Sequence, residues 1–233
     1  FRNVRYRPLP DSLPKLAAPE ADAPFKQILS LGVKNYPLVD FHVHLRDGFS
    51  AGDAMEHSRR HGIACGFAGN AGRQSRIRTD SALLQFAESV KGLTAFAGIQ
   101  AEGGDWTRHF TRETCSHFDY IFNDGMIWTD SGSRWLEVYR PEQMTGITDA
   151  QAFMDEFVTR VVDMIAKQPI DIYAHPTYLP ESMNARRAEL WTPARVDRAI
   201  AAAARHQVAI ELSTRYELPD EAFIRKAKQA GCK

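Results

Sequence analysis

A chain of 233 residues, 44% hydrophobic and 25% charged, has the composition of an ordinary globular protein with length enough to bury one sizeable core, which excludes a disordered or fibrous chain. Lysine plus arginine and aspartate plus glutamate are each 29, so the net charge is zero, no basic field gathers phosphate backbones, and nucleic acid is not expected as a partner. Cys65, Cys115 and Cys232 are odd in number and form no Cys-x-x-Cys pair, excluding a disulfide framework or a thiolate zinc site, and no run approaches the ~20 apolar residues of a membrane span.

Residues 1–36 carry Pro8, Pro10, Pro14, Pro19 and Pro24 without a sustained period and read as an irregular arm that wraps the domain formed by 37–233. Six apolar runs then read as strands: Leu38–Leu45, Ile63–Ala68, Thr94–Gln100, Tyr120–Asn123, Ile170–Ala174 and Val208–Leu212. Helical patterns lie between them, and that alternation is the signature of an α/β fold with a parallel sheet. The clearest helix is Asp149–Lys167, where Phe153, Phe157, Val161 and Ile165 recur on one face and Thr148 or Asp149 can cap the start. Thr192–His206 opens with Thr192 as cap and Pro193 at the first helical position, and Pro219–Ala230 is expected to repeat the device, with Gly231 as its stop. A seventh strand is expected after Lys233.

The most informative stretch is Val39-Asp40-Phe41-His42-Val43-His44-Leu45-Arg46-Asp47-Gly48. Alternate residues of a strand share a face, so His42 and His44 are expected to project together at the end of the first strand, spaced to hold one divalent ion. A polar, Gly-containing loop follows, the place where barrel chemistry sits. His175 ends the fifth expected strand before Pro176 and so stands on the same rim.

Three carboxylates complete a candidate set of metal ligands and proton carriers: Glu102, two residues past Gln100; Asp124, ending the fourth strand; and Glu211, inside the sixth. A carboxylate within an apolar strand requires a partner, and a barrel arginine serves as well as a metal; for Asp124 a turn or helix cap serves too. Glu102 and Asp124 are the candidates for proton transfer. Arg46 and Asp47, directly after the histidine pair, are candidates for holding a substrate anion or orienting a ligand, with a loop ion pair as the alternative, and Arg215 is a further candidate for a carboxylate or phosphate. The remaining histidines, His57, His61, His109, His117 and His206, read as surface or packing residues, and the four tryptophans mainly as core. There is no phosphate-cradling glycine loop and no Gly-x-Ser-x-Gly elbow.

From Leu38 onward the chain resembles the polymerase and histidinol phosphatase (PHP) superfamily and its amidohydrolase-like branch. The resemblance rests on Val39–Leu45, Phe118–Asp124, Asp171–Pro176 and Val208–Leu212. It implies a distorted (β/α)7 TIM-like barrel, six of whose strands are visible, which holds zinc, manganese or iron and hydrolyses phosphoesters of a small-molecule substrate. Where the superfamily has an Asp-His after the second strand this chain has Gly69-Asn70; Gln100 stands at its third-strand glutamate, and Met126 at the histidine after its fourth. One or two ions, held by His42, His44, His175, Glu102, Asp124 and Glu211, are therefore the implied complement. The run His42–Asp47 is also similar to the opening of dihydroorotase-type amidohydrolases, which keeps cyclic amides and lactones open as substrates, alongside a catalytically lapsed barrel that binds a ligand or partner. A soluble protein is expected; its compartment and oligomeric state are not legible.

Overall fold

The computed structural model describes residues 38–46, 48–130 and 132–233; the proline-rich arm and Asp47 lie outside the described residues. In chain order the elements are β1 (Val39–Val43), α1 (Ala51–His61), β2 (Ala64–Gly72), α2 (Asp80–Val90), β3 (Phe96–Glu102), the short α3 (Arg112–Cys115) and β4 (Tyr120–Asn123). A hairpin of β5 (Ile127–Thr129) and β6 (Trp135–Glu137) follows, then α4 (Ala150–Lys167), β7 (Ile172–Tyr173), the short α5 (Arg187–Leu190), α6 (Pro193–His206), β8 (Ala209–Ile210) and α7 (Glu221–Gln229). Among the described residues no helix is long and apolar enough to cross a membrane.

The six expected strands form one parallel sheet in the order β1-β2-β3-β4-β7-β8. The last two ladders are only two residues long, but backbone bonds run past them: Ala174 N donates to Asn123 O at 3.1 Å and Glu211 N to Tyr173 O at 3.1 Å. On the open side of β8, Ile210 N donates to Lys233 O at 3.0 Å. The β5–β6 hairpin is an addition that the sequence reading lacks.

The sheet curls. In a flat sheet β1 and β8, separated by β2, β3, β4 and β7, would stand about 24 Å apart at ~4.8 Å per strand. Here His42 Nδ1, on β1, lies 2.6 Å from Glu211 Oε1, one residue past β8. The concave side is filled by its own apolar cluster, in which Ala68, Tyr120, Phe122 and Ala174 are buried and Phe41, Phe96 and Ile172 pack against them. The convex side is covered by helices. Phe157, Val161 and Ile165 of α4 are fully buried there, with Phe153 packed against them. Val43 and Leu45 pack in a cluster with Ala54 of α1, Phe67 of β2 and Val90 of α2.

Tyr120 sets the concave floor. Its hydroxyl donates to Phe41 O at 2.6 Å, and its ring lies across β2 and β3 where those strands carry glycine. A Cβ on Gly98 would stand 2.1 Å from Tyr120 Cζ, and one on Gly66 2.5 Å from its hydroxyl oxygen. Glycine in a strand interior is unfavourable unless something must approach closely, and here an aromatic ring does.

The helix starts follow side-chain capping. Asp149 accepts from Gln151 N and Ala152 N, and Thr192 accepts from Arg195 N with Pro193 next in the chain. The expected start of the last helix is corrected: α7 is capped by Asp220, whose Oδ1 accepts from Phe223 N at 2.8 Å, so Pro219 stands outside the helix. A carboxylate cap satisfies an orphan amide directly, which a proline at the first position does not. Gly231, at φ +78°, follows its end as expected.

Gly98→Ala should overpack the floor and destabilise by about 3 kcal/mol, lowering the melting temperature by roughly 6–12 °C for a chain of this size. Tyr120→Phe should remove only the hydroxyl bond, about 1 kcal/mol. In a Tyr120→Leu background the Gly98→Ala loss should shrink, because the clashing ring is gone; additive losses in thermal melts would show that the two positions do not meet.

Candidate functional site

All candidate residues gather where the parallel strands end. The β1 register advances three residues, Asp40 to Val43, while β2 advances two, Cys65 to Phe67, so β1 carries one extra residue beside His42. Such a bulge re-aims side chains. It lets Phe41 join the concave cluster while His42 also turns inward, its ring 4.3 Å from that of Phe122. The His42 N–H is taken up by Asp40 Oδ1 at 2.9 Å.

Glu211 is the hub. Oε1 is hydrogen-bonded to His42 Nδ1 at 2.6 Å, and Oε2 accepts the His175 backbone N–H at 2.8 Å. His175 Nδ1 also lies 3.0 Å from Oε2, but off the line of a hydrogen bond, and it is a buried nitrogen without a hydrogen-bond partner. The His42 and His175 rings stack with centroids 4.7 Å apart. The arginine partner weighed for Glu211 is absent among the described residues: the rings nearest its carboxylate oxygens are the two imidazoles. Burial pushes its carboxyl up, but the interactions with His175 and His42 outweigh burial and hold it well below the usual carboxylate range.

Backbone strain positions His175. It sits at φ +46°, and Thr177, buried and β-branched, at φ +62°. Each costs on the order of 1–3 kcal/mol and persists only where the surroundings impose it. The turn they make ends the β7 ladder, aims the His175 amide at Glu211, and brings Tyr216 edge-on to the His175 ring at 4.8 Å.

His44 stands just past β1. Its Nδ1 donates to Ala68 O at 2.9 Å, and since a carbonyl only accepts, Nδ1 carries the proton and Nε2 keeps its lone pair. Burial, with His42 beside it, lowers its pKa to about 4, so the ring is neutral. One nitrogen tied to a backbone carbonyl and the other bare is how ligating histidines are oriented. Its centroid is 5.0 Å from that of His42, yet it falls outside the tight group: His42, His175 and Glu211 offer ligand atoms that all lie within 4.8 Å of one another.

Glu102 and Asp124 belong to a neighbouring hydrogen-bonded row. Asn70 Nδ2 donates to Gln100 Oε1 at 2.9 Å and to Glu102 Oε1 at 2.7 Å, Ser75 Oγ donates to Glu102 Oε2 at 2.5 Å, and Gln100 Nε2 donates to Asp124 Oδ2 at 3.1 Å. Asp124 meets the turn-cap alternative as well, its Oδ1 accepting from Met126 N at 2.8 Å. Asn70 and Gln100, amides without ligand character, escaped the sequence reading. Their pairing follows from register, since they stand opposite one another with Glu102 two residues on, on the same face.

Arg46 is exposed and its backbone pairs with that of Phe49; its charge lies close enough to His44 to help lower that pKa. Arg215 lies over the Tyr216 ring at 5.2 Å. Trp106, Trp128 and Trp191 are core, while Trp135 is partly exposed. No family model matches the chain, and no curated protein is similar to it.

Burial raises the Glu102 carboxyl above its ordinary 4.5 against the bonds from Ser75 and Asn70. Below about pH 4 it is protonated folded or unfolded; as pH rises the unfolded chain ionises first, so stability is lost. Glu102→Gln should therefore melt a few degrees higher than the parent at about pH 7 and level with it below about pH 4. A variant less stable at neutral pH would show that the ionised carboxylate is the favoured form.

Proposed function

We propose that the chain is a metal-dependent hydrolase whose ion is held by His42, His175 and Glu211. The observation that carries the reading is the Glu211 carboxylate with its two oxygens 2.6 and 3.0 Å from the Nδ1 atoms of two imidazoles whose rings stack on one another. Two imidazoles and a carboxylate are a donor set that suits zinc, manganese or iron. When bound, such an ion supplies Lewis acidity, polarising a phosphoryl or carbonyl oxygen and lowering the pKa of water towards ~7.

The protein's own groups do the rest. Neutral His44 offers Nε2 as a further ligand or hydrogen-bond acceptor. Gln100 holds Asp124 in one orientation, and Glu102, raised by burial, is suited to exchange a proton. The amides of Asn70 and Gln100 at the neighbouring strand ends favour a single ion. A (β/α)7 barrel of the kind found in the PHP superfamily is the finer form of this proposal; it is supported by the six sequential parallel strands, the curl and the pairing of β8 with Lys233.

Zinc or manganese at about a hundred times Kd should add ~2.7 kcal/mol, a rise of roughly 5–10 °C in melting temperature. His175→Ala and Glu211→Ala should abolish that rise. The loaded protein should turn over one class in a panel of phosphomonoesters, lactones and cyclic amides, phosphomonoesters first. No retained metal after dialysis, together with no thermal shift on adding either ion, would overturn the reading.

A further inference from the structure

A cleft of about 200 Å³ opens between the ends of β2 and β3 and the β5–β6 hairpin, separate from the group formed by His42, His175 and Glu211. Its charged lining is balanced, Glu102 and Glu137 against Arg76 and Arg140. Arg140 is occupied by a short ion pair with Glu137, whose carboxylate also lies 3.4 Å from Trp135 Nε1. Glu102 is held by neutral donors alone, and Arg76 has no carboxylate within ion-pair distance among the described residues. Trp135 and Tyr139 form aromatic walls, and Arg73 backs the Trp135 ring at 5.1 Å.

With its carboxylates and guanidiniums balanced, the cleft carries no net charge to select an ion of one sign. What it offers is a dense set of planar donors and acceptors between aromatic surfaces, which matches a ligand rich in hydroxyls with an apolar ring face. Its volume falls below the ~300–1,000 Å³ of drug-sized sites, so it takes one ring. We propose that this cleft binds a single neutral monosaccharide ring, with Glu102 and Arg76 on its hydroxyls and Trp135 against its face. Asn70 of β2 lines the cleft and β2 is the neighbour of β1, so the cleft begins one strand spacing, about 5 Å, across the sheet from β1. Resting on the hydrolase reading, the substrate class is then a monosaccharide phosphate, its ring in the cleft and its phosphate towards the histidines.

The test is a titration of the ¹⁵N-labelled full chain, without metal, following the Trp135 indole N–H and, so that Trp135→Phe can be read as well, the Arg76 backbone amide. The probes are D-glucose, D-mannose, D-galactose and D-ribose, with cyclohexanol and inorganic phosphate as controls. At least one sugar should saturate the shift with Kd on the order of 1–10 mM, while neither control does. Arg76→Gln and Trp135→Phe, both mild enough to keep the fold, should each weaken that sugar about ten-fold, and His175→Ala should leave it unchanged. No saturation by any sugar up to about 100 mM, or equal affinity in both cleft variants, overturns the proposal. Sugar binding without any metal binding would leave the cleft standing and remove the hydrolase reading; metal binding without sugar binding would do the reverse.

Discussion

The structure turns on one carboxylate. Glu211 sits one residue beyond one edge strand, His42 sits on the other edge strand, and a 2.6 Å contact joins them. A carboxylate taken largely out of water is costly unless it is paired, and this one is paired by imidazoles rather than by a guanidinium. That choice of partner matters chemically. An arginine would neutralise the charge permanently, whereas histidines keep lone pairs that a cation can use. The same contact therefore helps curl the sheet and assembles the proposed ligand set.

Three local features make that contact possible. The bulge in β1 turns His42 inward without removing Phe41 from the concave cluster. The left-handed turn at His175 and Thr177 points an amide and a ring at Glu211. The glycines of β2 and β3 let Tyr120 lie across the floor and tie itself to Phe41, next to the histidine. Each is unfavourable in isolation: an unpaired strand residue, positive φ at non-glycine positions, and glycine within strands. Together they lie under or beside the proposed ligands, where local rules are broken when function requires it.

Much of the frame is legible in the sequence. The six parallel strands stand out because apolar runs alternate with helices whose starts carry real caps, Asp149 and Thr192 among them. The β5–β6 hairpin does not, because strands of three residues show no period. At the site, His42, His175 and Glu211 are nameable as strand-end ionisable residues. That these three meet, while Glu102 and Asp124 are held by Asn70 and Gln100, depends on curl and register, which no local pattern encodes. The bulge is equally silent in the sequence; simple alternation puts His42 and His44 on one face but does not place His44 beyond the strand end, tied to Ala68.

The central claim is that His42, His175 and Glu211 form one ligand set, and X-ray absorption on the zinc-loaded chain addresses it most directly. The account predicts a nitrogen and oxygen shell at about 2.0–2.1 Å with the outer-shell scattering of two or three imidazoles, reduced by one ring in His175→Ala. A shell without imidazole scattering, or one unchanged when both His42 and His175 are replaced by alanine, would contradict it.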